Sequence, residues 1–114
     1  MADPPDEGGA QHRTEPRRRV LLSGKLVYGE SEMTLDCAIS DMSRTGARVR
    51  LAGPELLREP IYLIDVRHGL AFEAHEAWRR GALVGLTFTR YFDLRSAADE
   101  APLLVRRIWL EQIR

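Results

Sequence analysis

Cysteine is nearly absent from this 114-residue chain: Cys37 stands alone. No intramolecular disulfide can form, and a reducing compartment is the simpler setting. Cys37 falls within an alternating apolar run and reads as an inert core residue, because a free cysteine behaves as a small hydrophobe. Long hydrophobic runs are missing as well, since no segment approaches the roughly 18 apolar residues of a membrane span. The opening residues MADPPDEGGAQH carry no apolar stretch resembling a signal sequence, so a cytoplasmic protein is the expectation. Net charge is missing too. The 17 basic residues are matched by 17 acidic ones, which leaves no basic excess of the kind that tight, whole-surface nucleic-acid binding needs. Local charge must carry any anion binding. No aromatic pair on one strand offers the stacking platform of a barrel that binds single-stranded nucleic acid. The three histidines, His12, His68 and His75, have neither ligand-like spacing nor a neighbouring cysteine pair, so no metal is expected. No nucleophile elbow accompanies Ser43 or His75, and a non-enzymatic protein follows.

What is present is one domain's worth of chain. Residues 1–12 hold Pro4, Pro5, Gly8 and Gly9 with almost no apolar content, too little to offset the entropy of ordering, and read as a disordered tail. Residues 13–19 turn basic, with Arg13, Arg17, Arg18 and Arg19 around Glu15 and Pro16. They read as an arm leading into the fold. Six short strands are expected between residues 20 and 92. Val20 to Tyr28 is the first, with Gly24 marking a bulge or bend. Leu35, Cys37 and Ile39 alternate with polar neighbours to give the second, and Ala47, Val49 and Leu51 alternate with Arg48 and Arg50 to give the third. Pro60 to Val66 and Leu70 to Trp78 follow, then a turn at Arg79-Arg80-Gly81. The last strand centres on Val84, Leu86 and Phe88, where Gly85 permits close backbone approach. Six such strands suggest a mostly all-β, six-stranded antiparallel barrel, because closure removes exposed edges. Within residues 96–114 the apolar positions Leu104, Val105, Ile108 and Trp109 recur at helical spacing. A helix from about Asp99 to the end is predicted, with Ser96 and Asp99 as candidate caps and Pro102 in its first turn. It packs on the barrel or on a partner, and Trp78 and Trp109 read as core or interface residues.

Two features carry chemistry. The arginine cluster offers guanidinium groups, which chelate phosphate oxygens, stack on a purine face, or donate to guanine O6 and N7. The segment Asp41-Met42-Ser43-Arg44-Thr45-Gly46 lies between two patterned strands. Its Asp41 can accept from guanine N1 and N2, Ser43 can donate or accept, and Gly46 permits a positive φ or a close backbone approach to a ligand. The same residue types also make an ordinary turn.

Taken together, these residues resemble the PilZ domain, the bacterial receptor family for cyclic di-GMP. That family carries Arg-x-x-x-Arg before its first strand and Asp/Asn-x-Ser-x-x-Gly between its second and third. Asp41, Ser43 and Gly46 match the second motif, Gly85-x-x-Phe88 echoes the end of the family's barrel, and the resemblance runs from about Arg13 to Phe92. Arg13 and Arg17 satisfy the first motif literally. The family's second arginine usually abuts the first strand, however, where Arg19 stands here, and in that register Glu15 takes the first arginine's place. The arm therefore binds through Arg13 and Arg17 after a two-residue shift, or through Arg17, Arg18 and Arg19 in another geometry, or it has lost the ligand. The resemblance implies the six-stranded barrel with an adjoining helix. It also implies a cyclic di-GMP receptor or adaptor that needs no cofactor, a monomer or weak dimer, changing its N-terminal arm on binding and signalling to a protein partner. Alternatively, the chain is a PilZ-like interaction module without nucleotide.

Overall fold

The computed structural model describes residues 18–114, with side chains from Leu21 onward. The tail and Arg13 and Arg17 of the arm lie outside the described residues. Six strands are followed by one helix: β1 (Arg18–Tyr28), β2 (Met33–Met42), β3 (Gly46–Leu51), β4 (Ile61–Asp65), β5 (Leu70–Arg80), β6 (Leu83–Asp93) and α1 (Leu103–Gln112). The strands close into an antiparallel barrel in the order β1-β2-β3-β6-β5-β4. The barrel expected from the strand count is therefore present. Closure leaves no sheet edge to template pairing with another chain.

Alternation along the strands explains the inner core. Leu26, Ile39, Val49, Leu63 and Val84 are fully buried inside the barrel. β1 and β4 alternate less cleanly because part of their outer face is covered too. Val27, Ile64, Ala71 and Phe92 form a second apolar layer on the outside, closed by Val105, Ile108 and Trp109 of α1. The helix thus packs on its own barrel. Trp109 belongs to this core, and its Nε1 donates to the Val66 carbonyl at 2.9 Å.

Several boundaries differ from the sequence expectation. β1 begins at Arg18, so Arg18 and Arg19 are strand positions. Its irregularity lies between Arg19 and Leu22, and not at Gly24, which pairs regularly with Cys37 and Asp65. Gly24 serves the packing instead, because a Cβ there would press on Cys37 Sγ and the Ile39 side chain at about 3 Å. The β5–β6 hairpin runs further than expected: Arg79 and Arg80 are still in strand, and Arg80 pairs with Leu83 across a two-residue turn at Gly81 and Ala82. Gly81 supplies the positive φ that such turns require.

The helix is shorter than expected and starts at Leu103 behind Pro102, with no side-chain cap. A proline disfavours helical backbone at the residue before it, which stops the helix from extending back to Asp99. Ser96 and Asp99 are used in the preceding loop. Asp99 Oδ2 accepts from the Asp93 N–H at 2.9 Å, and the Arg106 guanidinium donates to the carbonyls of Leu94, Ser96 and Asp99. No helix among the described residues is long and apolar enough to cross a membrane.

Candidate functional site

Strict alternation along β2 would send Asp41 inward behind Cys37 and Ile39. The pairing with β3 prevents this. Ile39 lies opposite Val49 and Asp41 opposite Arg48, so Ser40 is one residue more on β2 than on β3. Such a bulge re-aims the side chains that follow it. Met42 then pairs with Ala47 and joins the inner core, while Asp41 shares the outer face with Arg48. The Ser40 hydroxyl donates to the Arg48 carbonyl at 3.3 Å and so ties the bulge to β3. On the other side, β1 carries its own irregularity at the same level, and the register places Arg19 directly opposite Asp41 and Arg18 opposite Met42.

Asp41 is therefore a strand residue, not a turn residue, and it is only 7% exposed. A carboxylate this buried is costly without a cationic partner. Arg48 provides it, with Nη2 at 3.6 Å from Asp41 Oδ2. At that distance it is an ion pair and not a hydrogen bond, with the Arg48 side chain one-third exposed.

The turn itself comprises Ser43 to Gly46. The Ser43 N–H donates to the Gly46 carbonyl at 2.8 Å, and the Ser43 hydroxyl accepts from the Thr45 N–H at 3.2 Å. Ser43 thus holds the shape of the turn with its own side chain, as turn serines do. The Phe88 N–H donates to the Thr45 carbonyl at 2.8 Å, anchoring the turn to β6. Gly46 has no positive φ. Its requirement is space: an added Cβ would run into the Leu86 carbonyl of the adjacent strand. The close approach expected at Gly46 is thus made by a neighbouring strand.

Following the register outward from Asp41 gives a continuous row on the outer face. Arg19, Asp41, Arg48, Gly85 and Trp78 are successive pairing partners on β1, β2, β3, β6 and β5. A second row, Arg50-Leu83-Arg80, runs beside it, and both of its arginines are exposed. Arg48 and Trp78 were not singled out as ligand residues in the sequence. The alternation of Arg48 and Arg50 with buried neighbours was the available signal for the first, and Gly85 for the second.

The remaining titratable groups do other work. Burial pushes the Cys37 thiol up to about 12, with the nearby Asp36 charge adding to the effect. This matches its reading as an inert core residue. His68 Nδ1 lies 2.8 Å from the buried Asp65, and His75 Nδ1 lies 2.6 Å from Glu59. Among the described residues no cluster of His, Cys, Asp and Glu could hold a metal ion.

The bulged aspartate, the serine-held turn and the closed barrel coincide with a family-level match. The PilZ domain family matches residues 11–104. A search of curated proteins finds no match. PilZ domains are binding and adaptor modules associated with cyclic di-GMP, and the match covers most of the chain, including the motif from Asp41 to Gly46, the whole barrel and the start of α1. The chain belongs to the PilZ domain family.

Proposed function

We propose that this protein is a non-enzymatic, cytoplasmic receptor for cyclic di-GMP. The observation that carries the reading is Asp41, turned by a bulge onto the outer face, nearly buried, beside Arg48 and opposite Arg19 in register. A carboxylate acceptor flanked by guanidinium groups suits a guanine edge attached to a phosphate. In this reading Asp41 accepts from guanine N1 and N2, while Arg48 and the arginines Arg13, Arg17, Arg18 and Arg19 meet the phosphates or stack on a base. Ser43 and Gly46 act one step back, by holding the turn against β6. Ligand then draws the arm onto the barrel and presents a new surface to a protein partner, an effect that requires differential affinity for the two arrangements.

Glu15, in the place of one family arginine, motivates the second reading, an interaction module without nucleotide. Calorimetric titration with cyclic di-GMP separates the two. Heat is expected, and Asp41→Ala is expected to weaken binding about 10- to 150-fold, the range for a hydrogen bond to a charged group. Folded protein that releases no heat at high micromolar ligand would leave only the interaction module.

A further inference from the structure

The helix that closes the outer apolar layer begins only at Leu103, behind Pro102. Between its first turn and the β1–β2 turn the layer stays open as a groove of about 210 Å³. Its apolar lining includes Val27, Tyr62, Leu104 and Val105, and the β1–β2 turn contributes Glu30 and Glu32. Tyr62 and Leu104 are only half-buried, so both can meet something placed over them.

The charge of the groove has one sign. No basic side chain among the described residues lines it, and Arg58 lies in the adjoining depression together with Glu59. Neither Glu30 nor Glu32 forms an ion pair with a described residue. Glu32 also stands at φ 57°, a left-handed conformation that glycine adopts freely and glutamate does not. The turn's geometry therefore does not select a glutamate there. The volume is below the roughly 300–1,000 Å³ of small-molecule sites. It suits one anchoring side chain of a protein segment, since such anchors fill small apolar pockets inside a polar rim.

We propose that this groove docks a segment of a partner protein whose large apolar side chain enters over Tyr62 and Leu104, with adjacent arginine or lysine side chains meeting Glu30 and Glu32. Apolar burial supplies the affinity, and the two carboxylates orient the segment and reject acidic ones. Val27 is far along β1 from Arg19, roughly 26 Å at the usual rise of a strand. The inference therefore stands apart from the receptor reading.

The test selects a randomised heptapeptide library on the full-length chain, then maps the selected peptide by amide shifts and measures it by calorimetry. Selected sequences should place arginine or lysine beside a large apolar residue, and saturable shift changes should centre on Val27, Glu32, Tyr62 and Leu104 without cyclic di-GMP. Glu30→Lys combined with Glu32→Lys should weaken binding about fivefold or more, the scale of two exposed ion pairs. That double variant should gain affinity for the same peptide with its basic residues replaced by glutamate. Glu32→Gly should weaken binding about two- to fivefold while the melting temperature stays level or rises, because glycine relieves the left-handed φ. Peptides without the basic–apolar pairing, shift changes that map elsewhere, or unchanged affinity in the double variant would overturn the assignment. A dimer on sedimentation that is lost in the double variant would give the groove to a second copy of the chain and overturn it as well.

Discussion

Gly46 shows how a residue named by a binding motif can be required for geometry. Its missing Cβ makes room for the Leu86 carbonyl, and its strand pairing with Thr87 continues the β3–β6 ladder. Gly46→Ala is therefore expected to destabilise the domain by about 1–3 kcal/mol, the usual cost of overpacking, and to weaken ligand binding through the displaced turn. Denaturant unfolding beside calorimetry checks both. Cys37 makes the complementary case. Its thiol sits next to Gly24 and is held protonated by burial. It should resist alkylation at pH 8 in the folded protein and react at once in denaturant. The sign of the linkage follows from the raised value. The contribution is complete below the ordinary thiol value of 9.0 and is lost as pH rises toward about 12, so stability should fall across that alkaline window. A Cys37→Ala variant should show a shallower alkaline decline.

Among the elements, α1 depends most on its surroundings. Its ten residues are too few for a stable isolated helix, and it has no side-chain cap. Its stability comes from Val105, Ile108 and Trp109 on the barrel's outer face and from Arg106, which ties the preceding loop through three carbonyls. Ile108→Ala is expected to cost about 2–5 kcal/mol, measurable by chemical denaturation. Ligand affinity of the remaining folded protein should be unchanged, because the Asp41 row lies on strands β1, β2, β3, β6 and β5 at positions that α1 does not cover. The strands were legible in the sequence wherever one face is wet, as in β2 and β3, because alternation reports a half-buried surface directly. The helix start was not legible, since Ser96 and Asp99 are good capping types that were recruited by the loop instead. The end of β5 was missed for a similar reason: Arg79 and Arg80 read as turn residues, yet the Arg79 guanidinium donates to the carbonyls of Glu55 and Gly81 and stays in strand.

For the whole molecule, a balanced overall charge coexists with a group of arginines on one part of the outer face. Arg48, Arg50 and Arg80 face the same way on β3 and β5, while acidic residues such as Glu30, Glu32 and Glu59 fall at the β1–β2 turn and before β4. In the receptor reading, these arginines attract a small anionic ligand locally. Ligand that binds only the folded state must also stabilise it, by about 2.7 kcal/mol at a hundredfold excess over Kd. Cyclic di-GMP should accordingly raise the melting temperature by several degrees, and the shift should shrink with added salt as the arginine field is screened. A scan with and without ligand at two salt concentrations measures it. An unchanged melting temperature at saturating ligand would contradict the receptor reading.

By itself the sequence determined the strand periodicity, the barrel class, the lone buried thiol and the identity of Asp41, Ser43 and Gly46 as a unit. These are local properties: side-chain alternation, turn chemistry and spacing are written within a few residues of one another. Only the tertiary structure decided which way Asp41 faces, because one extra residue at Ser40 reverses the side on which it emerges, and a bulge exists only relative to a paired strand. It also decided that Arg48, Gly85 and Trp78 belong to the same surface as Asp41. Those residues are far apart along the chain and become neighbours through the register of four strands, which no local pattern encodes.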